Sequence, residues 1–167
     1  MRSTLRFLLL ALGLAAVLAS PAAGAGITSR HLWATINVCD TLKHPDAVGV
    51  RGSMPGSSNP KERMYMRFRV QYFRASDQLW HNITKGGDSG FVFVGLARYK
   101  ARQAGQLFTF APPAGGSFQM RGKVTFQWRD RNGKKVLRSA AMATTAGHRS
   151  TAGSDPDGYS SDTCVVS

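Results

Sequence analysis

The stretch Met64-Tyr65-Met66-Arg67-Phe68-Arg69-Val70-Gln71-Tyr72-Phe73 alternates from end to end. One parity carries Met64, Met66, Phe68, Val70 and Tyr72; the other carries Tyr65, Arg67, Arg69, Gln71 and Phe73. Successive side chains of an extended strand point to opposite faces. A period of two sustained this long therefore predicts a strand with one buried and one largely wet face. Helical periodicity is weak throughout the rest of the chain after the N-terminal 25 residues, and Gly and Pro interrupt it often.

A second alternating region runs from Phe118 to Thr145 around Asn132-Gly133, the favoured pair for a two-residue hairpin turn. Pairing about that turn sets Trp128 opposite Leu137, Phe126 opposite Ser139 and Val124 opposite Ala141, large residues facing small ones on one side. The other side then has Arg129, Gln127 and Lys123 across from Val136, Arg138 and Met142. Further strands are expected at Trp33 to Cys39, Ala47 to Gly52, Gly90 to Ala97 and Gly105 to Ala111, with short ones at Leu79 to Asn82 and Thr163 to Val166. The Gly90–Ala97 stretch is apolar on both parities (Phe91 and Phe93, Val92 and Val94) and is expected in the middle of a sheet. Turn-rich connections separate these stretches at Gly52 to Pro60, Lys85 to Ser89, Ala111 to Ser117 and Ala146 to Ser161. About seven to eight short strands with regular turn signals predict an all-β chain, an antiparallel two-sheet sandwich, formed as one domain over residues 26–167.

The strand count and the hairpin resemble immunoglobulin-like or fibronectin type III-like sandwiches over most of that domain. The Cys-Trp-Cys arrangement between the sheets of immunoglobulin domains is missing, because Trp128 follows Cys39 at a long interval and Cys164 is nearly terminal. The region from Gly105 to Trp128 is also similar to that of secreted proteins from high-GC Gram-positive bacteria. That resemblance implies no particular activity.

Residues 1–25 read as a secretory signal peptide. Arg2 and Arg6 precede the apolar run Phe7 to Ala19, and Ser20-Pro21 leads to the small-x-small site Ala23-Gly24-Ala25. The run is shorter than the roughly 20 residues that a spanning helix needs, so no membrane span is expected after cleavage. Export predicts a secreted, extracellular protein, where the only two cysteines, Cys39 and Cys164, can pair and stay paired. Such a bond closes a long loop and staples the first strand to the last. The cysteines are too far apart in sequence for a close-spaced redox pair.

Without the leader the chain keeps twenty Lys and Arg against nine Asp and Glu, a net charge of +11. That imbalance favours polyanionic neighbours, such as an acidic envelope polymer, nucleic acid or anionic lipid head groups. Self-repulsion that keeps a secreted protein dispersed explains the same charge without any ligand.

Gly87-Asp88-Ser89-Gly90 resembles the segment around the nucleophile of trypsin-like serine proteases. The likeness covers four residues and departs at Phe91, and a domain of this length cannot form two barrels. None of His31, His44 and His81 has the sequence context that the catalytic histidine of that family would carry. A loop-to-strand junction accounts for the segment. The four histidines, His148 included, share no ligand spacing, so no metal and no cofactor are expected. Ser154-Asp155-Pro156-Asp157-Gly158 is built of ordinary turn formers. The single glutamate, Glu62, lies in a turn-rich connection without a partner carboxylate legible for glycoside hydrolysis. Asn82-Ile83-Thr84 has the form of a glycosylation acceptor, of consequence only in a glycosylating pathway.

The remaining candidate is the wet face of the Met64–Phe73 strand: Tyr65, Arg67, Arg69 and Phe73, extended by Arg129, Arg131, Lys134 and Arg138 of the hairpin. Arginines interleaved with aromatics hold anionic groups while stacking on rings, although solvated arginine stems packed across strands give the same pattern. The expectation is a secreted, non-enzymatic binding or envelope-associated module for an anionic polymer. The alternatives are a small secreted hydrolase whose polar groups converge only in space, and a purely structural extracellular protein. A pocket of converging His, Asp or Ser favours the hydrolase, and a flat, continuous Arg/aromatic face favours the binder.

Overall fold

The computed structural model describes residues 29–112, 114–148 and 152–167, so the expected signal peptide lies outside the described residues. Nine strands form among them: β1 (Trp33–Thr41), β2 (His44–Pro55), β3 (Arg63–Arg74), β4 (Leu79–Asn82), β5 (Asp88–Leu96), β6 (Ala101–Thr109), β7 (Phe118–Arg129), β8 (Val136–Ala143) and β9 (Thr163–Val166). They build two antiparallel sheets. One has the order β1-β2-β6. The other has the path β4-β3-β7-β8, with β5 sharing the outer side of β3 with β4, and β9 sharing the far side of β7 with β8. The two sheets face each other as a β-sandwich.

Strand β3 pairs with β7 without interruption from Arg63↔Arg129 to Tyr72↔Met120. The alternation read from the sequence therefore becomes two aligned rows. Met64, Met66, Phe68 and Val70 of β3 and Met120, Val124, Phe126 and Trp128 of β7 are buried, facing Ile36, Val48, Val50, Met54 and Phe108 of the other sheet. Each fully buried large side chain contributes about 1.5–3 kcal/mol relative to exposure. Between Met120 and Val124 the inward position is Gly122, where a Cβ would lie 2.6 Å from Val50 Cγ1. The sheets approach closely there because no side chain stands between them. Trp128 satisfies its indole N–H by donating to Pro55 O at 2.9 Å, as a buried donor must.

Two expectations need correction. The β7–β8 connection is wider than a two-residue Asn132-Gly133 turn. Asp130 Oδ1 accepts the backbone N–H groups of Lys134 (2.9 Å) and Lys135 (3.1 Å), and the Asp130 N–H donates to Lys135 O. Gly133 alone among the loop residues has a positive φ, 72°. With an irregularity beside Arg129↔Val136, the register becomes Trp128↔Arg138, Phe126↔Ala140 and Val124↔Met142. A slip of one residue moves every side chain of a strand to the other face. Arg138, Ala140 and Met142 thus lie on the inner side, and Ser139 and Ala141 on the outer.

The second correction concerns Gly90–Ala97. It forms β5 at a sheet edge, where β3 is its strand partner. Gly90 and Gly95 adopt positive φ (64° and 127°), and the ladder to β3 is irregular at Met64/Tyr65 and Arg67/Arg69. Its apolar outer residues are partly covered by arginine side chains from β3 and β7, and not by another sheet.

The free edge of β1 is closed by the segment that follows β8. Ile36 N–H donates to Ser161 O and Ser161 N–H returns to Ile36 O, while Thr145 N–H reaches Ala34 O at 2.8 Å. Asn37 Nδ2 donates to Gly153 O, and Thr35 and Asn37 are buried beneath the crossing. An unpaired edge would invite association with another chain. His148 stacks on Trp33 with ring centroids 4.7 Å apart. The disulfide Cys39–Cys164, with Cα atoms 5.5 Å apart, joins β1 to β9. It links the two sheets through the first and last described strands, unlike the central bond of immunoglobulin domains.

The disulfide spans a sequence separation of 125, and closing so long a loop restricts the unfolded chain strongly. Cys39→Ala/Cys164→Ala is expected to lower unfolding free energy by about 2–5 kcal/mol in urea titration. Burial holds the His148 imidazole below its ordinary value of 6.5. The unfolded chain therefore binds this proton at higher pH than the folded one. Its stabilising contribution is complete above about pH 6.5 and is lost as pH falls through the lower folded-state value. The decrease in Tm between pH 7.5 and pH 5 should be smaller in His148→Gln than in the parent protein.

Candidate functional site

The outward parity of β3 presents Arg63, Tyr65, Arg67, Arg69, Gln71 and Phe73. Opposite them on β7 stand Arg129, Gln127, Thr125, Lys123 and Arg121, and on the other side Phe93 and Phe91 of β5, then Asn82 and Trp80 of β4. Interstrand spacing of about 4.8 Å puts these residues into one continuous surface. Six cations (Arg63, Arg67, Arg69, Arg121, Lys123, Arg129) share it with one carboxylate, Asp88.

Most of the guanidinium groups lie on aromatic rings. Arg129 Cζ is 4.2 Å from the Tyr65 centroid and 4.7 Å from that of Phe91. Arg63 lies 4.8 Å over Phe93, and Arg121 lies 4.5 Å over Trp80. Tyr65 packs against Phe93 at 5.4 Å, and Phe73 against Trp80 at 5.3 Å. Attraction of a cation to the ring quadrupole orients these side chains without neutralising them. Phe93 remains 45% exposed, so the stacked array is accessible.

Hydrogen bonds order the rest. Arg67 Nε donates to both oxygens of Asp88 (2.8 and 3.0 Å), and Nη2 closes the ion pair. These bonds, with the Gly90 N–H and the nearby Arg69 charge, hold the Asp88 carboxyl below the usual carboxylate range. Arg121 Nε donates to Gln71 Oε1 at 2.9 Å, and Gln71 Nε2 donates to Asn82 Oδ1 at 2.9 Å. Burial lowers the Arg121 pKa. Arg69 reaches Thr125 Oγ1 only at 3.4 Å, and its Nε is buried without a hydrogen-bond partner. A buried donor left unpaired is costly, and this one sits in the middle of the cationic face.

The structure brings together Tyr65, Arg67, Arg69, Phe73 and Arg129 as read from the sequence. Arg131 and Lys134 are exposed in the β7–β8 loop at the margin of the face. Arg138 does not belong to it. The register slip turns it inward beside Trp128, its Cζ 5.1 Å from the indole, where it forms an ion pair with Glu62. Arg63, Arg121 and Lys123 join the face beyond the candidates named from the sequence, each on the outward parity of its strand, as the hairpin pairing itself puts Lys123 on the same side as Arg129. Phe91, Phe93 and Trp80 join it as well, and reach the face only through long-range pairing.

In Gly87-Asp88-Ser89-Gly90, Ser89 Oγ accepts the Phe68 N–H at 2.9 Å and donates to Gly90 O at 2.8 Å. The hydroxyl serves the β3–β5 junction, and Asp88 serves Arg67. His81 accompanies Asp77, and Asp155 accepts the Thr41 hydroxyl. Among the described residues no three His, Cys, Asp or Glu side chains gather as a metal site. The chain matches no known protein family, no curated protein and no solved structure.

Arg129 covers two rings, donates from Nε to Gln127 at 2.9 Å and reaches Gly133 O from Nη1 at 3.3 Å. Arg129→Met keeps an apolar stem but removes the cation. It is expected to cost about 1 kcal/mol of stability in denaturant titration and to change the Tyr65 environment in near-ultraviolet circular dichroism.

Proposed function

We propose that this chain is a secreted, non-enzymatic binding module that holds an anionic polymer against the outer face of its larger sheet. The observation carrying this reading is the continuous surface of six cations against one carboxylate, most of the guanidinium groups being preset on aromatic rings. Polyanions bind such surfaces by releasing condensed counterions, a gain that grows with the number of cations in contact. Side chains already held in place lose less conformational freedom on binding. The Cys39–Cys164 disulfide fits an oxidising location. Among the described residues, no helix is long and apolar enough to cross a membrane. An acidic envelope polymer is the partner that best unites export with this face. The face presents its charge along a strand, which suits a linear polyanion, and nucleic acid serves as a surrogate ligand for it.

The test compares positions and not only net charge. Arg69→Gln and Arg121→Gln remove cations from the face, whereas Arg138→Gln removes the same charge from the opposite side. On heparin near physiological salt, each face variant should elute earlier and make the dependence of log K on log salt shallower by about 1. Arg138→Gln should elute close to the parent. Equal shifts for all three would reduce the interaction to overall charge and overturn the assignment.

A further inference from the structure

The inner side of the same sheet carries a second feature, at the end of the sandwich where β4 and the chain after β6 diverge. An open cleft of about 850 Å³ lies there between the two sheets. Its wall continues the core: Tyr72 of β3 and Phe118 and Met120 of β7 come from the larger sheet, and Phe110 follows β6 of the smaller. Ile83, Phe110 and Phe118 pack on the core but are only partly buried, so apolar surface is left open to the cleft.

The polar residues stand at the rim and none of them is acidic. Thr84 and Lys85 are exposed there with His81 beside them, and Asn82, which accepts from Gln71 of the outer face, marks the edge between the two sides. Of the acids nearby, Asp77 is ion-paired to Arg74 and accompanied by His81, and Asp46 lies beside Phe110, whose N–H its carbonyl accepts. Lys85 has no ion pair among the described residues. An apolar wall and a cationic rim complement a molecule with an apolar body and an anionic end. The volume is within the range of roughly 300–1,000 Å³ found for small-molecule sites, which combine apolar linings with few polar groups.

We propose that this cleft binds a single-chain anionic amphiphile, the hydrocarbon tail entering between the sheets and the head group at Lys85. This does not rest on the polyanion reading, since the cleft and the cationic face lie on opposite sides of β3. The two ligands also differ in what they respond to. A polyanion answers to salt, and a tail answers to its length.

The experiment is calorimetric titration of the disulfide-intact protein with decanoate, dodecanoate and tetradecanoate, each below its aggregation threshold, and with dodecanol. Kd for a single site should fall roughly fourfold for each added methylene until the tail fills the cleft. Ala111 is exposed and lines the opening, so Ala111→Trp should block entry without disturbing the core and raise Kd at least about tenfold. Ile83→Trp fills the cleft from the other side and should do the same; thermal melts identify whichever variant is folded. Lys85→Gln should weaken dodecanoate roughly two- to fivefold and leave dodecanol unchanged. The double variant Arg67→Glu/Arg69→Glu should bind dodecanoate like the parent.

Absence of binding by the folded parent would overturn the proposal. So would an affinity independent of chain length, or full affinity in a folded Ala111→Trp or Ile83→Trp protein. Equal losses for dodecanoate and dodecanol in Lys85→Gln would remove the head-group assignment. Loss of dodecanoate binding only in the double variant would place the ligand on the outer face.

Discussion

The ladder between β3 and β7 is the constraint on which the rest of the structure depends. Ten consecutive residue pairs, from Arg63↔Arg129 to Tyr72↔Met120, lock two amphipathic strands in phase. With the phase set, their inward side chains are apolar or glycine except for the Trp128 indole, which donates to Pro55 O, and Tyr72 at the cleft end. All their outward positions from Arg63 to Gln71 and from Arg121 to Arg129 carry polar, charged or aromatic groups. A slip of one residue would bury arginines without partners, at several kcal/mol each. The charge that makes the outer face a candidate site is therefore also what forbids the alternative register.

Around this trunk, each edge is handled differently. On one side β5 and β4 divide the length of β3, and on the other β9 and β8 divide that of β7. The smaller sheet is closed at β1 by the returning chain at Ser161 and by the disulfide to β9. The bond acts on the first and last described strands, which would otherwise fray. Cross-linking a long loop mainly removes freedom from the unfolded chain. The disulfide thus supports the fold without shaping the cationic face.

Alternation makes the trunk legible from the sequence alone. Side-chain direction in a strand depends only on parity, so Tyr65, Arg67, Arg69 and Phe73 could be assigned to one face from the sequence. The misplacement of Arg138 has a local cause. Asn132-Gly133 invites a two-residue turn, but the Asp130 carboxylate captures the N–H groups of Lys134 and Lys135 and widens the loop. One extra residue in a hairpin is enough to reverse a face. The placement of β5 was lost for a different reason. Apolar residues on both parities usually signal a strand covered on both sides, and here the partial cover for Phe91 and Phe93 comes from Arg63, Arg67 and Arg129. No local pattern distinguishes a ring beneath another sheet from a ring beneath guanidinium groups.

That substitution of arginine for a second layer bears on what the face can do. A sheet covered by apolar side chains is sealed, whereas one covered by guanidinium planes keeps its charge at the surface. The ring beneath each plane removes part of its hydration and restricts its rotamers. Freedom lost in folding is not lost again on binding, so an anion meeting Arg129 or Arg121 encounters an oriented donor set. Arg67 is the exception, since Asp88 already occupies its donors. Arg69 is the complement, with a buried Nε that no protein group satisfies. Position along β3 thus separates an internally compensated cation from one whose hydrogen bonding is incomplete. An anion bridging Arg69, Lys123 and Arg121 would meet little competition from the protein's own carboxylates.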